Sequence, residues 1–488
     1  MSALSRVDEL AHGSVWRLLV RYSWPALVAM SLNALYAVVD RIYIGHGCGE
    51  AAMAGLQLAL PAMMFFTACG VFIGIGHATL LSIRLGEGNR VACEKILGEL
   101  VALKVLFSLV LPPLVFLNVD TVLGWCGGGQ VSDEAFGCAR TYLRIVVFSQ
   151  VFSHIAFGLS AAMRSEGDAV RSMLCMVVGF GSNLLLDPLL IFGTPAVEVF
   201  GRRFAVPQMG VAGAAWATNA AMTLSCLFAF AHYWRGRSAV RLRLLRCRVY
   251  GDLLRRTAGL GFAPFFQHLL SAMIGVALTS AFAKWAGDPA AATQQIASLG
   301  VFNAMLVLTF MPIMGVQQGL QPIIGYNWGA RSFARVRRAF LLGFWVTTAL
   351  CVVACVVQCV PPFPRVLARI FVPGDNPALL DRVVHDLAVG NCMIWTISVN
   401  VVATTYFQSI GHPRAAVLLS TLRQGVILMP CVWILPRILP DPTLAVWLAL
   451  PISDVLCQVA TLPPVLLHMR FLSRVRPRRR ERCHEARP

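Results

Sequence analysis

Ala62-Met-Met-Phe-Phe-Thr-Ala-Cys-Gly70-Val-Phe-Ile-Gly74-Ile-Gly76-His-Ala-Thr-Leu-Leu-Ser-Ile83 contains no Asp, Glu, Lys or Arg. It stops at Arg84 and the loop Gly86-Glu-Gly-Asn-Arg90. At 1.5 Å per residue, about 20 such residues cross the hydrocarbon core of a bilayer as a helix. Working outward, stretches of this kind recur with centres near residues 32, 67, 106, 148, 181, 221, 270, 309, 348, 395, 426 and 456. Ten-residue alternating segments, the mark of a membrane barrel, are absent. AVILMFWYC make up 57% of the 488 residues, charged residues only 13%, and mean hydropathy is +0.70. Soluble domains carry about 25% charged residues. The composition excludes a soluble enzyme, a disordered chain and a secreted disulfide scaffold. It predicts an all-α integral membrane protein with twelve transmembrane helices.

Forty-one Lys and Arg against 23 Asp and Glu give a net charge of +18. The basic residues cluster in short stretches between apolar runs, which is topogenic charge rather than a nucleic-acid surface. Arg6, Arg17, Arg21, Arg84, Arg90, Lys95, Arg164, Arg171, the cluster Arg235–Arg256, Arg331–Arg338, Arg414 and the tail from Arg470 all fall on one side. The positive-inside bias makes that side cytoplasmic and puts both termini there. The first apolar run, from near Leu18, is followed by no small-residue cleavage site, so it reads as a retained helix. Cys351, Cys355 and Cys359 share a helix face and read as packing, since a metal site needs ligands converging from several elements. Cys126 and Cys138 flank an outer loop.

The Arg235–Arg256 stretch divides six spans from six. Pro25 in span one has a counterpart in Pro264 of span seven. Gly70, Gly74 and Gly76 in span two answer Gly315 and Gly319 in span eight. Gly86-Glu-Gly-Asn-Arg answers Gly329-Ala-Arg. The offsets nearly agree, so one register holds. An even number of spans per half makes the repeat parallel, with a pseudo-two-fold axis along the membrane normal, an arrangement common in transporters. The expected units are a first lobe (1–235), a basic cytoplasmic linker (236–257), a second lobe (258–470) and a basic cytoplasmic tail (471–488).

Ionisable groups inside spans are costly and mark function by default. Asp40 lies near the outer end of span one, and Asp187 near that of span five. Asn183, four residues before Asp187, shares its helix face. Thr218 lies eight residues into span six, roughly 12 Å deep. Two carboxylates, an amide and a hydroxyl offer hard oxygens to Na+ or hold a shared proton. On spacing alone a second reading stands, with Asp40 paired to Arg41 and Asp187 merely a helix-end group. Pro25 lies fifteen residues before Asp40, about 22 Å along the helix, and permits a bend. Asp454 sits well inside span twelve with no basic neighbour in sequence, and His268 and Arg423 also fall in spans. Arg423 reads as snorkelling to the cytoplasmic interface. Met63, Met64, Phe65, Phe66, Met305, Met311 and Met314 either line an adaptable cavity or fill lipid-facing surface.

Several stretches together resemble the multidrug and toxic compound extrusion (MATE) family over roughly residues 14–468. They are Val38-Val-Asp40-Arg-Ile-Tyr-Ile-Gly45, Leu186-Asp187-Pro-Leu-Leu-Ile-Phe192, Gly210-Val-Ala-Gly-Ala-Ala-Trp-Ala-Thr218, Gly319-Leu-Gln-Pro-Ile-Ile-Gly-Tyr-Asn-Trp-Gly-Ala330 and Tyr406-Phe-Gln-Ser-Ile-Gly411. The resemblance implies two six-helix lobes forming a V, and export of small organic cations or drugs in exchange for H+ or Na+. It also implies a cation-coupling role for Asp40, with Asn183, Asp187 and Thr218 completing the site, and a bending role for Pro25. Branches of the family with acidic residues in helices seven and ten find no match here. Gln267 and His268 stand in one span, Asn391 and Asn400 in the other. Gln267, His268 and Asp454 are candidates for a second-lobe or substrate site. No cofactor, nucleic-acid partner or catalytic constellation is expected, and no Gly-Lys-Ser/Thr nucleotide loop occurs. The rival reading is a flippase for lipid-linked oligosaccharides, which needs a basic cavity; in the first lobe Lys104 is the main basic exception among acids.

Overall fold

The computed structural model describes residues 3–127, 131–199, 202–236, 238–243, 246–371 and 377–474. The expected basic tail beyond Arg474 lies outside the described residues. The first half comprises α1 (Ala3–His12), α2 (Val15–Gly86), α3 (Arg90–Leu117), α4 (Val119–Trp125), α5 (Asp133–Val146), α6 (Ser149–Ser165), α7 (Ala169–Ile191), β1 (Thr194–Val199), β2 (Arg202–Val206) and α8 (Gly210–Trp234). The second comprises α9 (Gly251–Trp285), α10 (Pro289–Gly329), α11 (Phe333–Cys359), α12 (Phe363–Phe371), α13 (Pro377–Asn391), α14 (Ile397–Ser409), α15 (Pro413–Thr421), α16 (Met429–Ile438) and α17 (Pro442–Arg474). Strands β1 and β2 form an antiparallel hairpin pairing Thr194 with Val206 and Glu198 with Arg203, an element the apolar-run reading does not anticipate.

Among the described residues eleven helices are long and apolar enough to cross a membrane, and twelve if the bent pair α5–α6 is one span. That pair bends by 51°, near residue 148 where the sequence centres span four. Helix α2 carries spans one and two, and the chain turns between them at Gly49, whose φ of 79° is open to glycine at no steric cost. Spans ten and eleven are also irregular. A 3-10 turn (Ile394–Thr396) joins α13 to α14, and a π-helical segment (Leu422–Leu428) joins α15 to α16. Helix α9 begins at Gly251, inside the stretch read as linker.

The two halves meet at the end of the bundle that holds the described termini, here called the basic face. A side chain at Gly86 would strike the carbonyl of Tyr326, and one at Gly329 would strike that of Ile83. Ile83 and Tyr326 each precede their own glycine by three residues, so each half gives the other the same contact. Gly325 packs on Ser82 between these two contacts. This is the close approach of a pseudo-two-fold axis, made possible by glycines at the ends of spans two and eight. Gly76 adds a contact to Thr257, Gly261 to Phe72, and Gln321 Nε2 donates to Thr79 Oγ1 at 2.6 Å. The structure is therefore closed at the basic face.

Flanking segments brace this closure. Arg335 donates to the carbonyls of Leu10 (3.1 Å) and Gly13 (2.7 Å) and to Asn327 Oδ1 (2.8 Å), which ties α1 to the second half. Glu94 pairs with Arg243 and Arg246, and Glu99 accepts from the Tyr250 amide, so the connecting segment lies on the first half.

Candidate functional site

Near the end of the bundle opposite the basic face, three helices bring the four expected residues together. Asp40 comes from span one, Asn183 and Asp187 from α7, and Thr218 from α8. Asn183 and Asp187 are 0% exposed, Asp40 and Thr218 7%. Asn183 Nδ2 donates to Asp187 Oδ1 at 3.2 Å and to Thr218 Oγ1 at 3.3 Å. Thr218 Oγ1 in turn donates to the Ala214 carbonyl at 3.1 Å. The Asp40 and Asp187 carboxyls lie within hydrogen-bonding reach of each other. Arg41 is exposed and forms no ion pair with buried Asp40, as expected for adjacent helical residues. The alternative Asp40–Arg41 pairing is thus reduced to the field of a nearby exposed guanidinium, with no direct ion pair.

Two oxygens in this pocket, Asp187 Oδ2 and Asn183 Oδ1, are buried with no hydrogen-bond partner. A buried acceptor without a donor costs about 1–3 kcal/mol. A proton between the carboxyls or a small hard cation among the oxygens would remove that cost. The donor set is all oxygen, which suits H+ or Na+ and not a softer metal. No group of three His, Cys, Asp or Glu able to hold a metal occurs among the described residues.

Sequence reasoning missed two aromatic walls of this pocket. Tyr36 lies beside Asp40, Asp187 and Thr218 and stacks on Phe180 with centroids 5.5 Å apart. Tyr142, from the bent span, also faces Tyr36 and both carboxylates. Tyr36 was legible as the residue four before Asp40 on the same helix face. Tyr142 required the fold.

The other candidates stand elsewhere. Pro25 lies in span one where α10 packs: a methyl at Gly315 would sit 3.0 Å from Leu27 Cα, and one at Gly319 2.8 Å from the Ser23 nitrogen. Gln267 and His268 are exposed. His268 lies seven residues beyond Gly261, two helical turns along the α9 face that touches the first half at Phe72. Asp454 is not a lone carboxylate. Arg423 Nε donates to its Oδ1 at 2.6 Å, so Arg423 turns inward rather than snorkelling, from the π-helical segment that displaces it from the regular ladder. Asn391 donates to Gln358 and Asn400 to the Leu419 carbonyl, both as internal bonds.

The apolar candidates divide. Phe66 and Met305 are buried core, whereas Met64 and Phe65 are 53% and 49% exposed. Met63 lies against Gln150. Met311 and Met314 pack on Met30 and Met176, joining the two halves at mid-depth. Cys126, Cys138, Cys351, Cys355 and Cys359 are free thiols.

Comparison with known proteins places this geometry in context. The MatE family profile matches residues 25–189 and 265–434. Multidrug export protein MepA of Staphylococcus aureus (strain N315) is 24% identical over 460 residues, covering 93% of this chain and 94% of that protein. The MepA of Staphylococcus haemolyticus (strain JCSC1435) is 21% identical over 448 residues, covering 91% and 92%. Among solved structures, MATE in complex with MaL6 superposes with a TM-score of 0.85 at 20% identity, covering 96% of this chain and 99% of that one. An outward-facing multidrug resistance MATE family transporter of the MOP superfamily gives 0.84 at 20% identity, covering 96% and 98%. These matches carry the two-lobe, twelve-helix fold.

Proposed function

The chain belongs to the MatE family of membrane transporters, and from that premise we propose that it is a cation-coupled antiporter exporting amphipathic organic cations by alternating access. It is a transporter and not an enzyme. The membrane is the cytoplasmic one, the basic face is cytoplasmic, and the lobes divide in the basic segment that precedes α9 at Gly251. The multidrug export relatives support the substrate class.

The observation that carries this reading is the meeting of Asp40 and Asp187 in a buried, all-oxygen pocket that leaves two acceptors without donors. With both carboxylates ionised, their repulsion in a low-dielectric site is large, and a cationic substrate is drawn to them. An H+ or Na+ arriving from outside neutralises the pair and weakens that attraction. Span one carries the change. Asp40 is at its outer end, Pro25 lies about 22 Å away, and α10 grips it on both sides of the proline. A bend at Pro25 must part Ser23 and Leu27 from Gly319 and Gly315, which loosens the cytoplasmic closure. Lys104 donates to the Gly70 carbonyl at 2.6 Å and stays buried, so it adds no free cation to the first-lobe cavity of the kind a pyrophosphate carrier needs.

Equilibrium binding of tetraphenylphosphonium to the purified protein tests this directly. Affinity should fall as pH is lowered or as Na+ is raised, whichever is the coupling ion, and Asp40→Asn should abolish that dependence. Binding indifferent to both cations would overturn the reading.

A further inference from the structure

On the membrane-facing side of the second half, away from the carboxylate pocket, α11 and α17 diverge to leave a cleft of about 280 Å³. Its walls are Phe340 and Phe344 from α11, and Leu462 and Leu466 from α17. Arg337 and Arg470 stand at its basic-face end. Arg337 lies in the first turns of α11 and Arg470 in the last turns of α17, so both guanidiniums stand at one level. Leu466 and Leu462 follow from Arg470 at four-residue intervals toward the membrane interior, lining about 12 Å of helix. One end of the cleft is doubly cationic and the rest is hydrocarbon.

Neither guanidinium has a hydrogen-bond or ion-pair partner among the described residues. Some arginines of the same face are engaged, Arg84 with Glu87, Arg246 with Glu94 and Arg335 with the Leu10 and Gly13 carbonyls; what sets Arg337 and Arg470 apart is that they share the mouth of one apolar cleft. Arg337 and Arg470 are exposed, whereas Phe340 is only 5% exposed, so the floor is fixed and the cationic rim is free. An occupant must therefore present an anion at headgroup depth and an apolar chain below it.

We propose that this cleft binds one anionic phospholipid from the leaflet at the basic face. Its phosphate sits between Arg337 and Arg470, and an acyl chain lies along Phe344, Leu462 and Leu466. Charge complementarity carries the choice: basic pockets between spans recognise anionic headgroups, and zwitterionic lipid gains little of this attraction. The site does not depend on the antiporter reading.

Native mass spectrometry of the full-length protein, titrated separately with phosphatidylglycerol and phosphatidylcholine, tests it. The wild type should retain one phosphatidylglycerol more tightly than any phosphatidylcholine. Arg337→Gln/Arg470→Gln should weaken that retention roughly tenfold or more. Leu466→Trp, which fills the cleft and keeps both charges, should also remove it, separating a built site from diffuse surface charge. Equal retention of the two lipids would overturn the proposal. So would undiminished phosphatidylglycerol binding in either variant, or a dimer that buries the cleft. The readout is lipid retention, so loss of transport activity alone does not bear on it.

Discussion

Gly319 of the second lobe stands directly on Ser23 of the first, so that a methyl group there would lie 2.8 Å from the Ser23 amide nitrogen. One turn away, Gly315 makes the matching contact with Leu27. Pro25 lies between these two points, and its missing N–H already weakens the helix there. The inter-lobe seal and the Pro25 segment of span one are thus one structure, and the carboxylate of Asp40 rides on the same helix.

Replacing Gly319 with Val should open this contact, because the Ser23 hydroxyl can rotate away but the Ser23 backbone nitrogen and Cα behind it cannot. Overpacking of this kind costs about 1–3 kcal/mol. Hydrogen exchange of the segments around Ser23 and Gln321 should accelerate, and transport should fall even though the Asp40 pocket is untouched. Unchanged exchange would show that the glycine contact does not hold the lobes.

Asp454 and Arg423 form a buried pair, 2% and 14% exposed, with a 2.6 Å hydrogen bond. Removing one partner strands the other charge, so Asp454→Leu should lower stability by about 3–5 kcal/mol. Arg423→Met/Asp454→Leu should recover most of that loss, since an apolar pair of similar volume avoids the desolvation cost. Melting of the detergent-solubilised variants reads this out. A single variant as stable as wild type would count against a structural role and return Asp454 to the substrate candidates.

Glu166, at the end of α6, fastens the start of the connecting segment. It accepts from the Tyr233 and Ser238 hydroxyls and from the amides of Ala239 (3.0 Å) and Val240 (3.4 Å). Burial raises its carboxyl from 4.5 to about 7, against the lowering effect of these donors. The docked segment therefore binds more protons than the undocked one between about pH 4.5 and 7, and docking weakens as pH rises through that window. Exchange of amides 238–243, corrected for intrinsic rate, should be faster at pH 8 than at pH 5, and Glu166→Gln should flatten the difference. A segment more protected at pH 8 would reverse the sign and refute it.

Much of this architecture was legible because the bilayer imposes simple rules. Apolar runs mark spans, and matching prolines and glycines marked the repeat that the Gly86–Tyr326 and Gly329–Ile83 contacts realise. Asp40, Asn183, Asp187 and Thr218 were legible because ionisable and polar groups at one depth are rare in a span. The Arg423–Asp454 pair was not, since thirty-one positions and a π-helical shift separate its members. Tyr142 was hidden for a similar reason: it reaches the pocket from a span bent by 51°, and no sequence interval encodes that bend. The β1–β2 hairpin escaped because it lies between spans, where apolar-run reading carries no signal.

The most direct test of the coupling claim is flux of a fluorescent organic cation in liposomes under separately imposed proton and sodium gradients, with wild type beside Asp40→Asn. The account predicts transport driven by one of the two gradients in wild type and abolished by the substitution. Gradient-driven transport that survives Asp40→Asn would contradict it.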